Sequence, residues 1–206
     1  MGVSDFCLPD LPRVAGLRVR WESAWALHPT HLLLLPTQAE ASGLASARRL
    51  GVKALVLDFS RLANIPSNAR RIGAFLEYPA EAERPARAFE EALGSLPRVA
   101  PVRTAYVLWW SPPVTAGPSS FIGEGLARLG LEVGPPSAME FPTLAAEALL
   151  DWKPALVLYP SDAGPPPAWM RAGPGIRFME VPADRWNRPS LDFPDALRHL
   201  GDALLH

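Results

Sequence analysis

The sequence is poor in cysteine, lysine and side-chain amides. Its 206 residues include one cysteine (Cys7), two lysines, three asparagines and one glutamine. A single cysteine excludes an internal disulfide and a thiolate cage for a metal ion, and we interpret Cys7 as a small packed hydrophobic residue. Few thermolabile amides beside 24 prolines are typical of a thermophile, although a GC-rich genome leaves a similar bias.

Segregated charge and long apolar runs are also missing. The net charge is −1 with no basic stripe, which argues against a nucleic-acid-binding protein. No apolar run reaches the roughly 18 residues of a membrane-spanning helix. The first residues, MGVSDFCLPDLPRV, lack a charged segment followed by an apolar one, so no signal peptide is predicted and the chain as written is expected in the cytoplasm.

The motifs of common catalytic and metal sites do not occur. His28 and His31 flank Pro29, which breaks a helical pair of metal ligands, and no HExxH spacing exists. The phosphate-binding patterns GxGxxG and GxxxxGK[ST] and the hydrolase pattern GxSxG are absent as well. We therefore expect a protein that is not an enzyme and has no intrinsic cofactor or metal.

Strand-like and helix-like segments alternate along the chain. The apolar runs are nearly continuous, as in parallel strands that are covered on both faces. The predicted fold class is α/β with parallel sheets. The predicted strands are His31–Leu35, Lys53–Asp58, Arg103–Trp110, Ala155–Tyr159 and Ile176–Val181; the predicted helices are Glu22–His28, Thr37–Leu50, Ser60–Leu76, Ser119–Leu129, Thr143–Trp152 and Leu191–Leu205.

One helix–proline–strand unit occurs twice. WESAWALHPTHLLLLPT, from Trp21, is similar in outline to AEALLDWKPALVLYPS, from Ala146. A glutamate precedes the proline by seven residues in both, as Glu22 and Glu147. The repeat predicts two similar lobes, each with a carboxylate in a matching place. A helix-start carboxylate also interacts favourably with the helix dipole, so a purely structural role is the alternative.

The charged segment Ala80–Leu96 is interpreted as a helix that links the lobes, an ordinary surface helix being the alternative. The expected domains are a first lobe at 1–78, the linker at 79–99, a second lobe at 100–188 and a closing helix at 189–206. The first lobe shows only two strands, too few for a stable sheet. Either Gly2–Phe6 adds an edge strand or the lobe lacks its first strand and helix. A second copy would then cover the exposed edge as a homodimer.

Aromatic and polar residues follow several predicted strands, where ligands of α/β folds bind. Alternation along a buried strand places Trp109 in the core and Trp110 on the opposite face. Trp186 lies in the mixed loop Ala183–Ser190, which precedes the last helix. These positions suit a large flat ligand; for each aromatic the alternative is a core residue, and for the loop a solvated helix entry.

These segments resemble the cobalamin and iron-chelate substrate-binding proteins of ABC importers. ALHPTHLLLL is similar to that family's "ALKPDLV" segment and LGVKALVLD to its "LGIKV" strand. WWSPPVTAG is similar to the strand and loop that open the second lobe, and EALLDWKPALVLYP to the "KPD" unit. The resemblance implies two lobes joined by a long helix and a ligand such as cobalamin, haem or a ferric siderophore. It also implies delivery to permease subunits whose arginine pockets receive Glu22 and Glu147.

The same resemblance implies ligand contacts by Phe6, Phe141, Asp184 and Arg188. We add two aromatic residues to these candidates, Trp110 at the end of a predicted strand and Trp186 in the loop before the last helix. The family's first-lobe tryptophan is replaced by Gly16, and a phenylalanine by Val114. Family members also begin with a signal peptide, a strand and a helix before the segment that starts here at Met1. We expect a periplasmic or membrane-associated extracytoplasmic protein if a signal peptide lies upstream. If the chain starts at Met1, a cytoplasmic relative without transport, acting as an orphan ligand-binding or interaction domain, is the alternative.

Overall fold

The computed structural model describes residues 14–16, 18–173 and 175–206. The chain divides into two compact units between Asp58 and Phe59. This division differs from the boundary expected at residue 78, because helix Asn64–Phe75 clusters with the second unit. The predicted edge strand Gly2–Phe6, like Cys7, lies outside the described residues, and both interpretations stay predictions.

The first unit contains one helix–strand–helix–strand sequence: α1 Trp21–Trp25, β1 His31–Leu34, a 3₁₀ turn Pro36–Gln38, α2 Ala41–Arg49 and β2 Lys53–Val56. The two strands pair in parallel, with His31 opposite Lys53. Leu32 and Leu34 are buried and face Ala47 of α2, whereas Leu33 between them is 46% exposed. The strand therefore has one covered face in this unit, as the period of two requires.

The second unit contains the remaining elements, with α3 and α4 first and a mixed sheet after them. They are α3 Asn64–Phe75, α4 Pro79–Gly94, β3 Arg103–Trp110, β4 Pro113–Thr115, α5 Phe121–Arg128, β5 Glu132–Val133, α6 Ala146–Asp151, β6 Leu156–Pro160, α7 Ala168–Arg171, β7 Arg177–Val181, α8 Ala183–Trp186 and α9 Phe193–Leu205.

The sheet of the second unit has the order β4-β3-β6-β7, and β5 pairs with the start of β3. β3, β5, β6 and β7 are parallel, and β4 is antiparallel to β3. Leu156 and Leu158 of β6 face a core that contains α5 and α9, whereas Val157 faces α6 and α7. Helices cover both faces of this sheet, which confirms the predicted α/β fold with parallel sheets.

Helices α3 and α4 pack as an antiparallel pair that ion pairs hold together. Arg70 of α3 contacts Glu83 and Glu90 of α4, each at 2.7 Å, and Arg87 contacts Glu83 at 2.6 Å. Hydrogen bonds from Arg70 lower the pKa of Glu83 to about 2 and also lower the pKa of Glu90. Helix α4 covers most of the predicted linker; its role in joining two lobes stays a prediction.

Candidate functional site

The two similar sequence segments follow the same backbone course. Glu22 and Glu147 are each the second residue of a short helix, α1 and α6. Each helix is followed by a non-glycine residue in the left-handed region, His28 with φ of 48° and Lys153 with φ of 53°. L-residues rarely adopt this conformation, and in both copies it comes directly before the proline. The helix–proline–strand unit that occurs twice in the sequence is therefore also repeated in the backbone structure.

The repeat continues into the hydrogen bonds of each turn and strand. The amide of His28 donates to the carbonyl of Trp25 at 3.0 Å, and that of Lys153 donates to Leu150 at 2.9 Å. The residue before each strand then accepts a bond from the next parallel strand, Thr30 from Lys53 at 3.1 Å and Ala155 from Arg177 at 2.9 Å. Both glutamates are thus placed by the same local framework.

Both carboxylates are exposed to solvent. Among the residues that the structure describes, neither the Glu22 carboxylate nor the Glu147 carboxylate makes a hydrogen bond or an ion pair. A carboxylate in this state keeps its hydrogen-bonding capacity for a cationic partner. The predicted docking role of the two glutamates therefore has the accessibility that it needs and remains a prediction.

A polar cluster lies beyond the carboxyl ends of β6 and β7 in the second unit. The Tyr106 hydroxyl donates to Asn187 Oδ1 at 2.8 Å, and Asn187 Nδ2 lies 3.5 Å from Asp162 Oδ1. Arg188 Nε donates to the carbonyl oxygen of Asp184 at 2.8 Å. Burial, with a smaller contribution from the charge of Asp162, raises the pKa of Tyr106, so the phenol is neutral at physiological pH.

The structure brings the predicted site residues Asp184 and Arg188 together within this cluster, on α8 and the residues that follow it. Asp162 and Asn187 were missed by the sequence analysis. The signal for Asp162 was present, because it directly follows a predicted strand, where ligand-facing residues of α/β folds lie.

The assignment of the two adjacent tryptophans was wrong. Trp110 is 8% exposed, packs against Tyr159 and Trp169, and donates its Nε1–H to the carbonyl of Gly164 at 3.1 Å. Trp109 is 55% exposed. A β-bulge between Val107 and Trp109 advances the alternation by one residue and moves Trp110 to the core face. Trp109, not Trp110, is available to a ligand.

Two other predicted aromatic contacts pack into the core of the second unit. Trp186 is 2% exposed, stacks on Tyr106 at 5.7 Å and meets Phe193 edge-on at 5.6 Å. Trp186 is therefore a core residue of the second unit, which is the alternative that the sequence left open, and its ligand contact stays a prediction. Phe141 is half-buried and lies edge-on to Phe121 at 6.5 Å, so part of its surface is accessible. Phe6 lies outside the described residues.

We also searched the described residues for membrane-spanning helices and for clusters of metal-binding side chains. No helix among the described residues is long and apolar enough to cross a membrane. The described part of the chain also holds no group of three or more His, Cys, Asp or Glu side chains arranged to bind a metal ion.

Two solved structures of similar fold are periplasmic proteins that bind heme or vitamin B12. A periplasmic heme-binding protein in complex with two hemes has a TM-score of 0.78 at 18% identity, over 95% of this chain and 82% of that chain. The periplasmic vitamin B12 binding protein of Vibrio cholerae has a TM-score of 0.76 at 21% identity, over the same shares.

A third solved structure of similar fold is also a binding protein. An ABC transporter substrate-binding protein of Listeria monocytogenes EGD-e has a TM-score of 0.77 at 16% identity, over 98% of this chain and 88% of that chain. The chain has the fold of these binding proteins. No protein-family model matches the sequence, and no curated protein matches it either. At these identities the likeness concerns the fold, which is the one that the resemblance in the sequence implied.

Proposed function

We propose that this protein is the substrate-binding component of an ABC importer and acts outside the cytoplasm. It carries a bulky metal chelate (cobalamin, haem or a ferric siderophore) to a membrane permease. The observation that supports it most is the repeated framework that presents Glu22 and Glu147 as accessible carboxylates. Two exposed carboxylates, one in each unit, suit charge-assisted recognition of two arginines on a docking partner. The fold shared with heme- and vitamin B12-binding proteins supports the same role.

The polar cluster of the second unit supplies chemistry for the rim of such a ligand. Arg188 suits a ligand carboxylate, and Asp162 and Asp184 suit amide or hydroxyl donors. The exposed ring of Trp109 offers a stacking surface. Because the Tyr106 hydroxyl is buried and donates to Asn187, this cluster favours contacts to the periphery of a chelate over coordination of its metal by Tyr106.

Ligand binding is tested by titrating the protein with cyanocobalamin, haemin and a ferric siderophore while tryptophan fluorescence is recorded. One of the three is expected to quench the signal with saturation. Arg188→Ala is expected to weaken that binding about tenfold or more, since a hydrogen bond to a charged group contributes about 1.5–3 kcal/mol.

Arg185→Ala is the matched control, because Arg185 is exposed and lies on α8, three residues before Arg188. Equal losses for the two variants would remove Arg188 from the site, and no response to any of the three chelates would refute the ligand class.

A further inference from the structure

The helix that carries Glu22 also carries a pair of stacked tryptophans. The rings of Trp21 and Trp25 lie 5.2 Å apart at an interplanar angle of 19°. The Trp21 ring rests on Gly43 of α2, where a Cβ atom would overlap it, and its Nε1 lies 3.4 Å from Glu40 Oε2. Trp21 is therefore held between α1 and α2 and supports Trp25 in turn. The result is a fixed aromatic wall beside an exposed carboxylate.

This wall borders a small cavity between α1 and α2. Its volume is about 250 Å³, and Trp21, Glu22, Trp25, Ser42, Gly43 and Ser46 line it. Pockets for small organic ligands usually measure about 300–1,000 Å³. The cavity is thus too small for a tetrapyrrole and matches the end of one long side chain.

The residues that line the cavity favour a planar cation as its occupant. The Glu22 carboxylate has no partner among the described residues and accepts two parallel hydrogen bonds from a guanidinium. Indole faces attract cations, and the flat guanidinium stacks on them better than an ammonium group does. The Ser46 hydroxyl accepts one hydrogen bond from Arg49 at 3.0 Å and keeps a second acceptor site, and the Ser42 hydroxyl also lines the cavity.

We infer that the cavity between α1 and α2 binds an arginine side chain of the docking partner, held by the Glu22 carboxylate and the Trp25 indole. The inference rests on the proposed function for the identity of the partner as a permease. In α6, Ala146 and Leu150 stand where α1 has Trp21 and Trp25; Leu150, like Trp25, is partly buried against the core of its own unit, but it has no aromatic ring. Glu147 accordingly recognises its partner by charge without an aromatic contact, which makes the two docking points chemically different.

The test is an NMR titration of the whole protein at low ionic strength with Nα-acetyl-arginine amide and, separately, Nα-acetyl-lysine amide. The indole N–H signals of Trp21 and Trp25 are followed. The arginine compound is expected to half-saturate their shifts at a concentration about two- to fivefold lower than the lysine compound, the difference that a cation–π contact gives at an exposed site. Glu22→Gln is expected to weaken both compounds.

Trp25→Leu, which installs the residue of the second copy, is expected to abolish the preference for arginine in the remaining Trp21 signal. Trp25→Phe keeps a ring and is expected to retain it, which separates stacking from a loss of folding. Equal responses to the two compounds in the unaltered protein, or a preference that survives Trp25→Leu, would overturn the inference. The chelate titration is independent, so either proposal can fail while the other stands.

Discussion

The two copies of the helix–proline–strand unit share a backbone and differ in what surrounds it. In the first unit, α1 contains a stacked tryptophan pair over a small side chain, Ala24, which is 1% exposed. In the second unit, Leu149 takes the place of Ala24 and fills the core below α6. The comparison shows that one backbone arrangement holds each carboxylate in place, while packing and surface chemistry have changed independently around it.

The largest expected effect on stability comes from replacing the core residue Leu149 of the second copy with alanine, the residue that the first copy has at this position. Leu149→Ala removes a fully buried side chain, and such a change costs about 2–5 kcal/mol. Urea denaturation should show a midpoint lowered accordingly. Leu205→Ala is the control, because Leu205 is 54% exposed and its loss should change stability by less than about 0.5 kcal/mol. Similar midpoints for the two variants would mean that α6 does not depend on Leu149.

A smaller effect, equal in the two copies, is expected at the left-handed residues before the prolines. His28→Val and Lys153→Val place a β-branched residue where φ is positive, which should cost about 1–2 kcal/mol in each copy. His28→Gly and Lys153→Gly serve as controls, because glycine adopts this conformation without strain. Thermal unfolding measures all four. A penalty in one copy alone would break the structural equivalence of the repeat.

The smallest effect concerns the ion pairs between α3 and α4, which have no counterpart among the described elements of the first unit. The pKa of Glu83 is lowered in the folded protein, so the pair stabilises the fold above the ordinary pKa of a carboxyl group. This stabilisation is lost as the pH falls towards about 2. Arg70→Met should flatten the fall in melting temperature between pH 5 and pH 2. An unchanged pH profile in that variant would show that the ion pairs contribute nothing.

The sequence predicted the elements of the fold well because their signals are local. Every predicted strand among the described residues is present, and the repeated glutamate and proline led to a repeat that the backbone confirms. β4, β5, α7 and α8 were missed because each has four residues or fewer, too few to show a period in the sequence. The expected boundary at residue 78 differs from the division after Asp58, because α3 packs on α4, which follows it directly, and Ser60 and Leu62 before α3 hydrogen-bond to α5.

The site was harder to predict because it depends on where side chains point. The β-bulge before Trp109 leaves no mark in the residue pattern and reversed the roles of Trp109 and Trp110. Trp186 precedes a helix and looks like a loop residue, yet stacking on Tyr106 buries it. The homodimer, the thermophilic origin and the roles of Phe6 and Cys7 stay predictions.

The measurement that tests the central claim most directly is association with the cognate ABC permease, using single and double charge reversals. Glu22→Lys and Glu147→Lys should each weaken association in detergent or nanodiscs, since unpairing a buried interfacial charge costs about 2–5 kcal/mol. The double variant should abolish association and leave chelate affinity unchanged. Asp202→Lys is the control for net charge, because Asp202 is exposed on α9. Association that survives the double reversal would contradict the account and return both glutamates to a structural role at their helix starts.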